Sequence, residues 1–229
     1  MRASIIALLC LSAGLVQAVD FVNQTPATNG GTYRWSKLWV DPAGQNDLDG
    51  DAICYEDFVL ANDSTIDHME WWGDHNPNKG FQIEFWKQDP GTIAYQPYAV
   101  FRNAGANPEA SFVVNDYTAG SDPSGTVHFT WDLPDPVSLA ANNAGNPRWF
   151  VAIIGLTDVP YLEWNWAQGL GGSHNTFQWI RGGNEGGGDS YRVLGEGRAM
   201  VLAGPVPEPA TLAVLGIGAM LLARRRQRS

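Results

Sequence analysis

Gly80-Phe81-Gln82-Ile83-Glu84-Phe85-Trp86-Lys87 decides the fold class. Its side chains alternate. Phe81, Ile83 and Phe85 fall on one side, and Gln82, Glu84 and Trp86 on the other. A strand turns successive residues to opposite faces, so this octet reads as a strand with one face in a core.

Working outward, the same style recurs. Ile53–Leu60 (ICYEDFVL) and Thr65–Trp72 (TIDHMEWW) read as strands joined by Ala61-Asn62-Asp63-Ser64. Tyr33–Val40, Tyr95–Arg102, Ala110–Val114, Gly125–Leu133, Tyr161–Ala167, Thr176–Arg181 and Arg198–Ala203 extend the series. Arg148–Leu156 (RWFVAIIGL) is the most continuously apolar segment and reads as a central strand, covered on both faces. Val19–Gly31 is small and polar and reads as a leading loop. Asp41-Pro42-Ala43-Gly44 and Asp89-Pro90-Gly91 are turns, and 182–189 is a flexible glycine-rich loop. Its glycines match no phosphate-binding fingerprint, because no Lys-Ser/Thr follows and no helix opens after them. Roughly ten or eleven short strands separated by Gly, Pro, Asn and Asp predict an all-β chain, a β-sandwich or jelly roll.

The two ends read differently. Met1-Arg2 and the apolar run Ile5–Val16 form a secretory signal helix, with small residues of Val16-Gln17-Ala18 placing cleavage after Ala18. Cys10 follows Leu9 rather than a small residue, which argues against a lipoprotein site. At the far end, Pro207 and Pro209 fix an extended chain, and a helix begins after them. Ala210–Ala223 holds 14 residues without charge. A helix of that length covers roughly 21 Å, against a hydrocarbon core of about 30 Å. Arg224, Arg225, Arg226 and Arg228 follow; by snorkelling they complete a short transmembrane helix and anchor it on the cytoplasmic side, with the body outside.

The order Val206, Pro207, Glu208, Pro209, then apolar helix, then arginines resembles the PEP-CTERM sorting signal, a tripartite bacterial tag. The resemblance implies recognition by exosortase, a membrane transpeptidase, with cleavage at or near Pro-Glu-Pro. It also implies an envelope or exopolysaccharide system, with transient membrane anchoring and release to the cell envelope or matrix, while the N-terminal signal brings in signal peptidase. The tag is also labelled an ice-binding protein C-terminal domain, but no T-x-T array of the kind an ice-binding face needs occurs in the chain. The resulting division is a signal peptide at 1–18, a body at 19–205 and the sorting signal at 206–229. A second resemblance covers about a third of the body. Glu56-Asp57-Phe58-Val59-Leu60, Thr65-Ile66, Trp71-Trp72-Gly73 and Phe81–Trp86 are similar to a β-sandwich body of secreted, anchored bacterial proteins, with Glu56 where an Asp is usual. It implies the fold and no activity.

Charge narrows the partners. Residues 19–209 carry nine basic and all 24 acidic residues, a net charge of −15. Nucleic acid is excluded, since phosphate binding needs Lys and Arg. Only Cys54 remains after processing, so no internal disulfide forms and the core must carry stability.

Site candidates each have a plain alternative. Asp47, Asp49 and Asp51 sit at i, i+2 and i+4 around Gly50, a spacing that can wrap a structural Ca²⁺; it also suits a solvated acidic turn. The EF-hand order is not met, with Ala52 and Phe58 at its sixth and twelfth positions. His68, His75, His128 and His174 have no zinc spacing. Glu84 and Glu163 are the acids to test for glycoside hydrolysis, which needs two carboxylates about 5–10 Å apart. No nucleophile elbow is present, and the expectation is a protein that is not an enzyme. Trp71, Trp72, Trp164 and Trp166 are the candidates for stacking on sugar rings, the alternative being that they fill the core. The resulting expectation is a secreted protein that binds or structures exopolysaccharide, with a paired-carboxylate hydrolase as the alternative.

Overall fold

The computed structural model describes residues 18–40, 50–91, 96–99, 104–142, 147–182 and 188–205. The signal segment up to residue 17, the tail from 206, Asp47 and Asp49 lie outside them. The sheets lie within the compact unit Asp20–Gly204.

The described residues are almost wholly strand and loop. The strands are β1 (Ala18–Gln24), β2 (Arg34–Trp35), β3 (Lys37–Trp39), β4 (Ala52–Phe58), β5 (Ser64–Gly73), β6 (Phe81–Lys87), β7 (Ala110–Val114) and β8 (Thr118–Ser121). They continue as β9 (Val127–Leu139), β10 (Trp149–Thr157), β11 (Asn165–Trp166), β12 (Gln168–Gly169), β13 (Phe177–Ile180), β14 (Ser190–Val193), β15 (Gly197–Arg198) and β16 (Met200–Pro205).

Two seven-stranded sheets result. In the first, β5 pairs with β9 along one side and with β16 and then β11 along the other; β8, β1 and β2 extend those neighbours. The second runs β14-β13-β4-β3-β10-β6-β7, with β4 and β10 also paired directly. Between β3 and β10 the pairing is parallel.

The main core draws on both sheets. Phe81, Ile83 and Phe85 of β6 enter it as their alternation predicts, alongside Val151 and Ile153 of β10. Met69 and Trp71 of β5 and Phe129 and Trp131 of β9 come from the first sheet. A bulge keeps the faces in phase: the β5–β9 register shifts between Ile66 and His68, so Ile66, Met69 and Trp71 all point inward. The unpaired stretch opposite that shift contains Pro134, whose missing N–H costs no ladder bond there. β10 is buried on both faces, as its apolar run predicts, because Phe150, Ala152 and Ile154 enter a second cluster on the reverse face of the second sheet.

Four expectations are corrected. Val19–Gly31 is not all loop, because Ala18–Gln24 is strand β1 and only a 3₁₀ turn at Thr28–Gly30 follows. Tyr33–Val40 is not one strand. It breaks at Ser36, a fully buried residue where the chain passes from the first sheet to the second. The Ser36 hydroxyl donates to the Ile153 carbonyl at 2.6 Å and accepts from the Cys54 amide at 3.2 Å, which satisfies the crossing. Of Tyr95–Arg102, the described residues 96–99 carry a single bridge, Pro97 to Gln88. Of Tyr161–Ala167, only Asn165 and Trp166 are strand.

Candidate functional site

The four tryptophans proposed for stacking are buried, and this corrects their assignment. Trp71, Trp164 and Trp166 are at most 1% exposed and Trp72 is 5% exposed. Trp71 packs in the main core, edge-on to Phe81 at 5.0 Å and stacked on Phe129 at 5.5 Å. Trp72 points to the opposite face, as strand alternation requires. There the His128 ring covers it at 4.4 Å, with the two planes 2° apart. Trp164 fills the space over Gly73 and Gly155 and donates its indole N–H to the His75 carbonyl. Trp166 donates to the Ala199 carbonyl. None of these rings has a face for a sugar.

Among the described residues the exposed aromatics are Trp35, Tyr98, Tyr161 and Tyr191, and the last lies on the reverse face of the second sheet beside other rings. Phe177 and Trp179 of β13 share that face, and β14 sets Val193 and Tyr191 beside them in register. Tyr191 is 51% exposed and Val193 47%. The Tyr191 ring stacks on Phe177 at 6.4 Å and 18°. Next to this strip is a cleft of about 370 Å³ lined by Leu38, Ile53, Ile154, Tyr55 and Trp179, the last two as buried as Trp72, which leaves Tyr191 the accessible ring of this strip. A cleft of that size falls at the small end of the ligand-site range.

Its polar groups are Gln82, Glu84, Arg181 and Asp189. Glu84 accepts from the Gln82 amide at 2.5 Å and from the Trp86 indole N–H at 2.8 Å, which fixes both oxygens. Asp189 accepts from the Trp179 indole at 3.0 Å and from the Gly182 amide at 3.1 Å. Arg181 lies over the Trp179 ring at 5.8 Å and points one nitrogen at Asp51, 3.5 Å away. Burial first, and then the Glu84 charge, pushes the Tyr55 phenol well above its ordinary value, so it stays a neutral O–H at physiological pH. Of the two acids proposed for hydrolysis, Glu84 lines this cleft; Glu163 does not, standing in the connector before β11.

The remaining sequence candidates divide. Asp51 is buried; one oxygen accepts the Trp39 amide at 3.0 Å and the other faces Arg181. Among the described residues no group of three His, Cys, Asp or Glu side chains is placed to hold a metal ion. His68 and His128, far apart in sequence, meet through Glu70, at 3.4 and 2.7 Å. Cys54 is buried and its thiol pushed up to about 12, chiefly by desolvation, so it is inert as a nucleophile.

Glu56 and Asp57, quoted for the resemblance of the body, are buried. Glu56 is fully buried and accepts from the Thr176 hydroxyl at 2.5 Å. Its neighbour Asp57 pairs with Arg148 beside an open pocket of about 320 Å³. Behind Glu56, the buried Arg198 donates to the carbonyls of Thr32 and Trp166.

Comparison with known families assigns the tail. Residues 205–228 match the family model described as the PEP-CTERM protein-sorting motif. The chain carries a PEP-CTERM sorting motif. That motif indicates exosortase-dependent sorting to the cell envelope, in agreement with the reading of Val206–Pro209 and the four arginines. It spans about a tenth of the chain and leaves the activity of the sheets open. No curated protein and no solved structure matches the chain.

Proposed function

We propose that the body is a non-enzymatic envelope or matrix component that holds exopolysaccharide on the reverse face of its second sheet. The apolar run 210–223 anchors it with the body outside until exosortase cuts at or near Pro207–Pro209. The observation that carries the reading is the half-exposed Tyr191 ring next to the cleft lined by Tyr55 and Trp179. A half-exposed Tyr191 ring near hydrogen-bonding carboxylates and an amide matches a sugar, which presents apolar C–H faces and a rim of hydroxyls. The two cleft carboxylates are each held by an indole N–H, an arrangement suited to steady acceptors.

The test is a pull-down of the purified protein on the producing cell's own matrix polysaccharide, with a reducing-end assay run beside it. Retention without release of reducing ends is expected. Release of reducing ends that stops with Glu84→Gln favours the hydrolase instead. Loss of retention in EDTA brings in a structural Ca²⁺ at Asp47, Asp49 and Asp51. No retention under any condition overturns the binding reading.

A further inference from the structure

The sorting motif follows directly on an interior strand of the first sheet. β16 lies between β1 and β5, and its Met200 and Leu202 are fully buried. At Gly204 the backbone is still tightly packed. A Cβ there would collide with the Thr65 carbonyl oxygen of β5 and stand 2.9 Å from the Phe21 ring of β1. β16 ends on Pro205, the first residue of the motif match.

β1 opens at the same end. Phe21 lies beside Gly204, and the Gln24 amide donates to the Arg198 carbonyl at 2.9 Å, so the two strands run in opposite directions. The start of β1, where the expected signal cleavage after Ala18 falls, therefore adjoins the end of β16. Beside this exit Thr65 of β5 and Ser138 of β9 are paired, with their hydroxyls 3.2 Å apart. Together with Asp63, Ser64, Leu139 and Ala140 they line an open hollow of about 310 Å³.

We infer that this end of the first sheet, around Thr65, Ser138 and Ala140, is the surface on which exosortase docks, and that the body is cut while folded. The inference rests on the exosortase cleavage proposed above. Reach decides it. The five residues 205–209 span at most about 18 Å when fully extended. Even a small domain is about 30 Å across. An enzyme that cuts at or near Pro207–Pro209 must therefore touch the end of the sheet. It could avoid this only by peeling β16 away, which would bare Met200 and Leu202 to water. β16 accordingly stays whole in the product.

Pulse–chase of the full-length chain in the producing cell tests this. Ser138→Trp and Ala140→Trp, both at exposed positions, should each slow conversion of precursor to product about tenfold, the effect of one well-placed interface residue. The purified variants should melt at the native midpoint. Val113→Trp, on the outermost strand of the second sheet, should leave conversion unchanged. A flexible Gly-Ser spacer of about twelve residues between Pro205 and Val206 adds roughly 20 Å of reach. It should bring both tryptophan variants level with the native sequence carrying the same spacer. Trypsin cuts after Arg198, so mass spectrometry of the product should find a C-terminal peptide that contains all of Ala199–Pro205. Conversion of both variants at the native rate, slowing that the spacer does not relieve, or equal slowing by Val113→Trp overturns the docking surface. A product that ends inside β16 overturns cutting of the folded body. No conversion of the native chain overturns the exosortase reading itself, and the inference with it.

Discussion

Arg148 places Nη1 2.5 Å from Oδ2 of Asp57, a carboxylate with no exposed surface. The Ser173 hydroxyl donates to its other oxygen. Removing the cation leaves a buried charge without its counter-ion, a change that costs about 3–5 kcal/mol. Arg148→Ala should therefore unfold at much lower denaturant concentration, with its m-value unchanged. A loss below about 1 kcal/mol, the scale of a surface pair, would contradict a buried one.

The Trp164 indole occupies the space over Gly155, where an added Cβ would come within 2.5 Å of the Trp164 Cβ. Neither the central strand β10 nor the buried ring has room to move. Gly155→Ala should cost about 1–3 kcal/mol through overpacking. Circular dichroism melts of the variant check this, and an unchanged midpoint would mean that the ring is not fixed there.

Glu56 gives the protein a pH dependence whose sign can be worked out. Burial raises its carboxyl from an ordinary 4.5 to about 8, against the opposing bond from Thr176. Between those values the folded state binds more protons than the unfolded chain, so stability falls as pH rises through the window. His68 acts in the same direction. Burial lowers its value, but Asp132 and Glu70 outweigh that and hold it above the ordinary 6.5, so its contribution is also lost as pH rises. Urea melts from pH 5 to pH 9 should show the decline. Glu56→Gln should flatten it and exceed the native protein in stability at pH 9, while Asp132→Asn should remove only the smaller histidine part. A Glu56→Gln variant with an unaltered pH profile would show that the carboxyl ionises freely.

The tail predicts a cellular outcome. With Pro207, Glu208 and Pro209 replaced by alanine, exosortase loses its recognition sequence while the apolar run and the arginines remain. The variant should accumulate uncleaved in the membrane fraction, which immunoblots of fractionated cells detect by size. Normal release to the envelope or the medium would show that the motif is dispensable.

The strands with strong alternation were legible in the sequence. Phe81–Lys87 and Ala110–Val114 form where the pattern puts them, and the unbroken apolar run ending at Leu156 does become the strand covered on both faces. Strands escaped where that pattern is absent or only a few residues long. Thr118-Ala119-Gly120-Ser121 is exposed throughout and is a strand only because β9 offers it a ladder. Ser190–Val193 follows a glycine-rich loop and depends in the same way on β13. The tryptophans misled for a related reason. Alternation shows that Trp71 and Trp72 face opposite ways, but only the packed sheets show that His128 covers one and the opposing sheet covers the other. The cleft needed tertiary information too. Phe177 and Trp179 alternate visibly in Thr176–Arg181, and Tyr191 and Val193 in the segment after the loop. That these pairs adjoin, on a face left partly open, follows from register alone.

The most direct test of the account compares the native chain with Tyr191→Ala by equilibrium depletion against the producing cell's matrix polysaccharide. Tyr191 is half exposed at a sheet edge, so its loss should leave the fold intact, which a melt run in parallel verifies. The account predicts saturable binding by the native protein and about fivefold weaker binding by the variant, at equal stability. Equal binding by both, or none by either, would contradict it.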